Sequence, residues 1–309
     1  MLPLPPALER AASVLVMGCG GGFDVFCGVP LAIALRAAGK RIVFANHSSP
    51  GISASGAEGI SDGAWRVTPG CAELPVFAEK WLTEWLLRRD WAAPVYALAH
   101  TGAAPLSAAI GAIVARETVD AIVLVDGGAD SIIFGDEPGI GTLVEDAIAL
   151  IATHALGKPA LVASIGFGVD DHDGVSHHAF LENVAVLTRD RGFEGAWSVL
   201  AQTDEGEAYL DLVDYANARQ PKHQSIVCNS VASAIRGEFG DYRATRRTTG
   251  AVFISPLTSQ YWLFDLPAVV SRMIYAKELA SATTSADAHA IIERVRQTAP
   301  LRTRKSIPL

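Results

Sequence analysis

Residues 121–146 read A-I-V-L-V-D-G-G-A-D-S-I-I-F-G-D-E-P-G-I-G-T-L-V-E-D. The first five are apolar without alternation, the pattern of a strand buried on both faces, which parallel sheets produce. Asp126 and Asp130 should then emerge at the carboxyl end of that strand, where open α/β sheets place their ligands. Asp136, Glu137, Glu145 and Asp146 follow, interspersed with glycines. Carboxylates this dense repel one another unless a cation, a cationic ligand or protons separate them, and hard oxygen donors suit Mg²⁺, Mn²⁺ or Ca²⁺. The competing reading is a solvated acidic loop whose Asp and Gly make turns and whose Thr142 caps a helix over Glu145.

Toward the N-terminus, residues 13–17 predict a strand, Gly18-Cys-Gly-Gly-Gly22 a tight loop, residues 25–38 a helix ending at Gly39, and residues 40–45 the next strand. Such a strand–loop–helix–strand unit has a right-handed connection and parallel strands. Residues 47–69, rich in Ser and Gly and without a period, predict a long loop. Helices are expected over 77–89, 105–116 and 143–155, and strands over 94–98, 121–125 and 160–165. Further on, 180–191, 209–218, 266–279 and 285–298 read as helices, 225–228 as a short strand and 242–254 as a hairpin. The alternation defines an α/β fold with a doubly wound, mainly parallel, Rossmann-like sheet, built as a single domain over 1–309 and closed by C-terminal helices. Trp81 and Trp85, spaced i, i+4, are expected in the core.

Composition narrows the partners. Half of the residues are hydrophobic and 19% are charged, which describes a compact globule able to bury a large core. A net charge of -8 argues against a nucleic-acid footprint. No apolar run is long enough to span a bilayer, and the N-terminus lacks the basic start and long apolar centre of a signal peptide, so a cytoplasmic location and no membrane partner are expected. Cys19, Cys27, Cys71 and Cys228 lack C-x-x-C spacing, which excludes a zinc knuckle. Homo-oligomer formation is left open.

The glycine loop offers backbone N–H groups to an anion, with Gly20, Gly21 and Gly22 as its cradle, and Asp24, in the first turn of the helix, either complements the helix dipole or joins the metal site. A dinucleotide fingerprint fits poorly, because Phe23 stands at the third glycine position and Asn46, not an acid, ends the second strand where ribose hydroxyls are met. Asn46 could still accept one hydroxyl, so a nucleotide cofactor stays open. The loop 127–131, G-G-A-D-S, is similar to the S-G-G-x-D-S loop of the ATP pyrophosphatases, with Asp126 in place of the leading Ser. The sequence G-G-G-F-D near the start, D-G-G-A-D-S with G-D-E-P-G-I-G-T-L-V-E-D in the middle, and R-T-R at 302–304 together resemble an uncharacterised family, the domain of unknown function numbered 1152. That resemblance covers most of the chain and implies a Rossmann-like α/β fold with no known activity.

A second acidic stretch, Asp170-Asp-His172-Asp173, follows the strand expected at 160–165 and should rise at the same edge as Asp126. His100, after another strand, could line the same cleft. No G-x-S-x-G elbow and no H-E-x-x-H helix occur. The expectation is a metal-assisted hydrolase or group transferase in which Asp126, Asp130, Asp136 and Glu137 hold Mg²⁺ or Mn²⁺. The cation would polarise a small anionic substrate, with phosphorylated and nucleotide-like compounds in view. His172 or Glu145 would accept the proton, and Ser131 is a candidate nucleophile. Two alternatives stand beside it: a nucleotide- or dinucleotide-dependent transferase or oxidoreductase, and a non-catalytic small-ligand-binding module.

Overall fold

The computed structural model describes residues 5–48, 50–248, 250 and 252–307, apart from the side chains of His172 and Asp173. The strands are β1 (Ser13–Gly18), β2 (Arg41–His47), β3 (Glu58–Ser61), β4 (Ala64–Val67), β5 (Val95–Leu98), β6 (Ala121–Gly127), β7 (Ala160–Ile165), β8 (Phe193–Ser198), β9 (Gly240–Asp241), β10 (Phe253–Ile254) and β11 (Gln260–Asp265). Nine of them form one sheet in the order β3-β4-β5-β2-β1-β6-β7-β11-β8. The five central strands, β5-β2-β1-β6-β7, are mutually parallel, and antiparallel strands close both edges. Every residue of β1, β6 and β7 is buried, as strands covered by helices on both faces require.

Counted among the parallel strands alone, the order is third, second, first, fourth, fifth. The chain therefore leaves β1 in one direction and returns beyond it in the other, and the crevice between the carboxyl ends of β1 and β6 is the switch point where such sheets bind ligands. Register fixes the neighbours there: Gly18 pairs with Val125, and Asp126 with Ser164. Two apolar layers pack against the sheet, one around Leu15, Leu124 and Ile148, the other around Val16, Val123 and Trp85. Trp81 and Trp85 both lie in the core, as their spacing predicts.

Several expectations are corrected. The stretch 47–69 contains the β3/β4 hairpin, whose turn at Asp62-Gly63 uses a left-handed glycine (φ 77°); Asp-Gly is the hairpin signal that irregular composition masked. The expected helix over 25–38 is two, Asp24–Cys27 and Val29–Ala37, divided at Gly28 ahead of Pro30. The stretch 225–228 starts a helix, Ile226–Ile235, because the Ser225 hydroxyl accepts from the Cys228 amide and caps it. Strands β8 and β11 have no counterpart among the expected elements, and the helix expected over 266–279 is broken where Met273 is extended. No helix among the described residues is long and apolar enough to cross a membrane.

Candidate functional site

The loop after β1 and the strand end of β6 meet at the crevice. Gly21 and Gly22 both take left-handed backbone (φ 92° and 58°), so a Cβ at either would be strained. The turn is held by Asp24, whose carboxylate accepts from the Gly20 amide at 2.8 Å. Across it stands Asp126 and, from the helix Leu143–His154, Asp146. Carboxylate oxygens of Asp24, Asp126 and Asp146 all lie within 4.8 Å of one another. Asp24 is half-buried and the other two are buried. A Cβ on Gly20 would come within 2.7 Å of Asp146 Oδ2 and 3.1 Å of Asp24 Oδ2, so only glycine lets the loop pass between them.

These acids are poorly satisfied. Asp126 accepts from the Ser131 hydroxyl (2.5 Å) and amide (3.2 Å), yet burial, with the charge of Asp130 adding to it, pushes its carboxyl up to about 8. Burial likewise drives Asp146 well above the carboxylate range, followed by the charges of Asp130, Asp126 and Asp24. Asp24 is raised by burial first and Asp126 second. Asp146 Oδ1 is buried and has no hydrogen-bond partner among the described residues. The arrangement favours whatever positive charge can enter, either protons or a cation with oxygen preference.

Asp130 and Asp170 border this group. Asp130 accepts from the Thr142 amide (2.8 Å) and hydroxyl (3.0 Å), which replaces the expected Thr142 cap on the following helix. Asp170 accepts from the Ala129 amide at 2.5 Å, so the loops after β6 and β7 do meet, as adjacent strand ends should.

The remaining expected residues are placed differently. Asp136 and Glu137 do not join Asp126; Arg302 binds both, reaching Asp136 Oδ1 at 2.7 Å, and Glu137 also accepts from the Phe134 and Gly135 amides and from Asn183 at 2.6 Å. Glu145 turns to a cavity shared with His289 and Glu293, because neighbouring helix positions diverge by about 100°. Ser131 is fully buried and its hydroxyl donates to Asp126 Oδ2 at 2.5 Å, the geometry of an acid's partner. The expectation for His172 falls outside the described side chains.

The donor side of Asn46 is engaged, while its Oδ1, the atom that would accept a ribose hydroxyl, is buried with no hydrogen-bond partner among the described residues. Its amide donates to the Gly22 carbonyl (3.0 Å), the His47 carbonyl (3.0 Å) and Glu79 Oε1 (2.9 Å), and its Oδ1 occupies the space that a Cβ on Gly18 would need. It positions the glycine loop. Sequence reasoning left Asp146 out of the cation set and weighed Asp24 between the helix dipole and the metal site. Asp146 was legible in the helical period, since Leu143, Asp146, Ala147 and Leu150 form one buried face. His47 and Glu79, both buried beside the loop, carry no pattern that marks them.

A family model described as "Protein of unknown function (DUF1152)" matches residues 50–304, and the chain belongs to that family. No curated protein matches it.

Proposed function

We propose that this member of the DUF1152 family binds a divalent cation, Mg²⁺ or Mn²⁺, through Asp24, Asp126 and Asp146. The reaction class is hydrolysis or group transfer on a small anionic substrate lying along the Gly20–Gly22 loop. One observation carries the reading: three carboxylates converge at the sheet's switch point, with Asp146 Oδ1 buried and unpartnered. The arginines that could neutralise them are engaged elsewhere, Arg302 with Asp136, Glu137 and Glu182, and Arg304 with Asp171. A bound cation would supply Lewis acidity and a more acidic water at that point. The chain's own contribution is the glycine turn, held in place by Asp24 and Asn46 beside the buried Asp126 and Asp146.

Cation and protons compete for the same oxygens, since burial keeps Asp126 protonated below about pH 8. Calorimetric titration of Mn²⁺ into chelator-treated protein should therefore give saturable binding that releases protons and weakens as pH falls. Asp126→Asn should reduce the affinity by about tenfold or more. Absence of saturable heat, or equal affinity in Asp126→Asn, would remove the cation from the site.

A further inference from the structure

Consecutive glycines of the loop face opposite walls. Where a Cβ on Gly20 would meet Asp146 and Asp24, one on Gly21 would lie 3.3 Å from His47 Cβ and 3.4 Å from His100 Cε1. The loop thus separates an acid wall from an imidazole wall. The two imidazole rings stand with centroids 5.4 Å apart; His47 is 2% exposed and His100 is exposed, so the pair runs from the interior to the surface.

His47 is incomplete as a core residue. Neither Nδ1 nor Nε2 has a hydrogen-bond partner among the described residues. A neutral imidazole carries one N–H and one lone pair, and leaving both unpaired in the interior is unfavourable for each. Burial first, and His100 second, lower its pKa to about 3, so the ring is neutral at physiological pH. A metal ion is a poor occupant here: among the described residues neither histidine belongs to a group of three ligand-bearing side chains.

We propose that His47 and His100 form a subsite for a tetrahedral oxyanion, a phosphoryl group carried by the substrate whose reacting end meets the cation site; its place in a reaction rests on the cation reading, but its binding does not. The two ring nitrogens of His47 diverge, so one of them faces the group: a P–O⁻ meets it where it carries the N–H and a P–OH where it carries the lone pair, and His100 receives the group from solvent. A planar carboxylate offers acceptors only and cannot meet a nitrogen that presents its lone pair.

Inorganic phosphate titrated into chelator-treated protein, followed by ³¹P NMR or calorimetry, tests this without any metal. Saturable binding is expected, weakened about tenfold in His100→Ala, the loss of one strong hydrogen bond. His47→Gln, checked for folding by thermal melt, should lose at least as much. Equal affinity in folded His47→Gln and His100→Ala, no saturable binding to the wild-type protein, or acetate binding as tightly as phosphate would each overturn the subsite. Mn²⁺ titrated into the same preparation reads the cation site separately. Mn²⁺ bound without phosphate rejects the subsite alone, and phosphate bound without Mn²⁺ supports the subsite and rejects the cation reading.

Discussion

Two acidic clusters arise from the single stretch 121–146, and they have opposite fates. Glu137, wholly buried, accepts from two backbone amides, from Asn183 and from Arg302, and Arg302 also binds Asp136 and Glu182. Asp126 and Asp146, equally buried, have no arginine, and Asp146 Oδ1 has no donor among the described residues. Carboxylates stand on both sides of the glycine at 135, Asp126 and Asp130 before it and Asp136, Glu137, Glu145 and Asp146 after it. What differs is the donor supply, and donors decide whether a buried acid is a structural ion pair or an open site.

The largest effect should come from the satisfied cluster. Arg302→Ala strands Glu137 in the interior, so unfolding free energy should fall by about 4 kcal/mol, measured by urea denaturation. Arg302→Lys should recover only part of this, because one ammonium cannot copy a fork that spans Asp136, Glu137 and Glu182. An unshifted midpoint in Arg302→Ala would mean that the cluster is held by Asn183 and the amides alone.

Glu79 is an intermediate case, a buried acid with Asn46 as its chief donor. Burial raises its pKa from 4.5 to about 7, against the pull of Asn46. The folded state then holds this proton more tightly than the unfolded state. Its contribution is intact below pH 4.5 and is lost as pH rises to about 7. Glu79→Gln has no proton to lose, so its stability relative to wild type should climb by about 3 kcal/mol between pH 4.5 and 8, at about 1.4 kcal/mol for each pH unit that separates the folded and unfolded pKa. Unfolding curves at both pH values that differ by a constant would reject the buried-acid account.

How much of this was legible follows from the range of each interaction. The parallel centre was readable because β1, β6 and β7 are dominated by consecutive apolar residues, a local property. Strands β8 and β11 were not, because Phe193–Ser198 and Gln260–Asp265 are largely half-buried pieces at one side of the sheet whose partners lie far along the chain. The acidic stretch was readable as a site, but its division was not. Arg302 is 165 residues from Glu137, and nothing near residue 137 announces that it arrives. Asp24 was readable as an acid in the first turn of a helix after glycines, open to a dipole or a metal role, and topology alone brings it to Asp146.

The smallest predicted change carries the most information, because its sign reverses. In the chelator-treated protein at pH 8, Asp146→Asn removes a carboxyl raised by burial and by Asp130, Asp126 and Asp24, and it leaves a neutral amide of the same shape. Relief of that repulsion should stabilise the fold by about 1 kcal/mol, less than full desolvation relief because the amide needs hydrogen bonds of its own. Adding Mn²⁺ should then raise the melting temperature of the wild-type protein by binding the native state, while the variant gains little. The two melting curves should exchange order on addition of the cation. If Asp146→Asn is instead destabilised without Mn²⁺, as Arg302→Ala is expected to be, Asp146 belongs with the satisfied cluster and the contrast between the two clusters disappears.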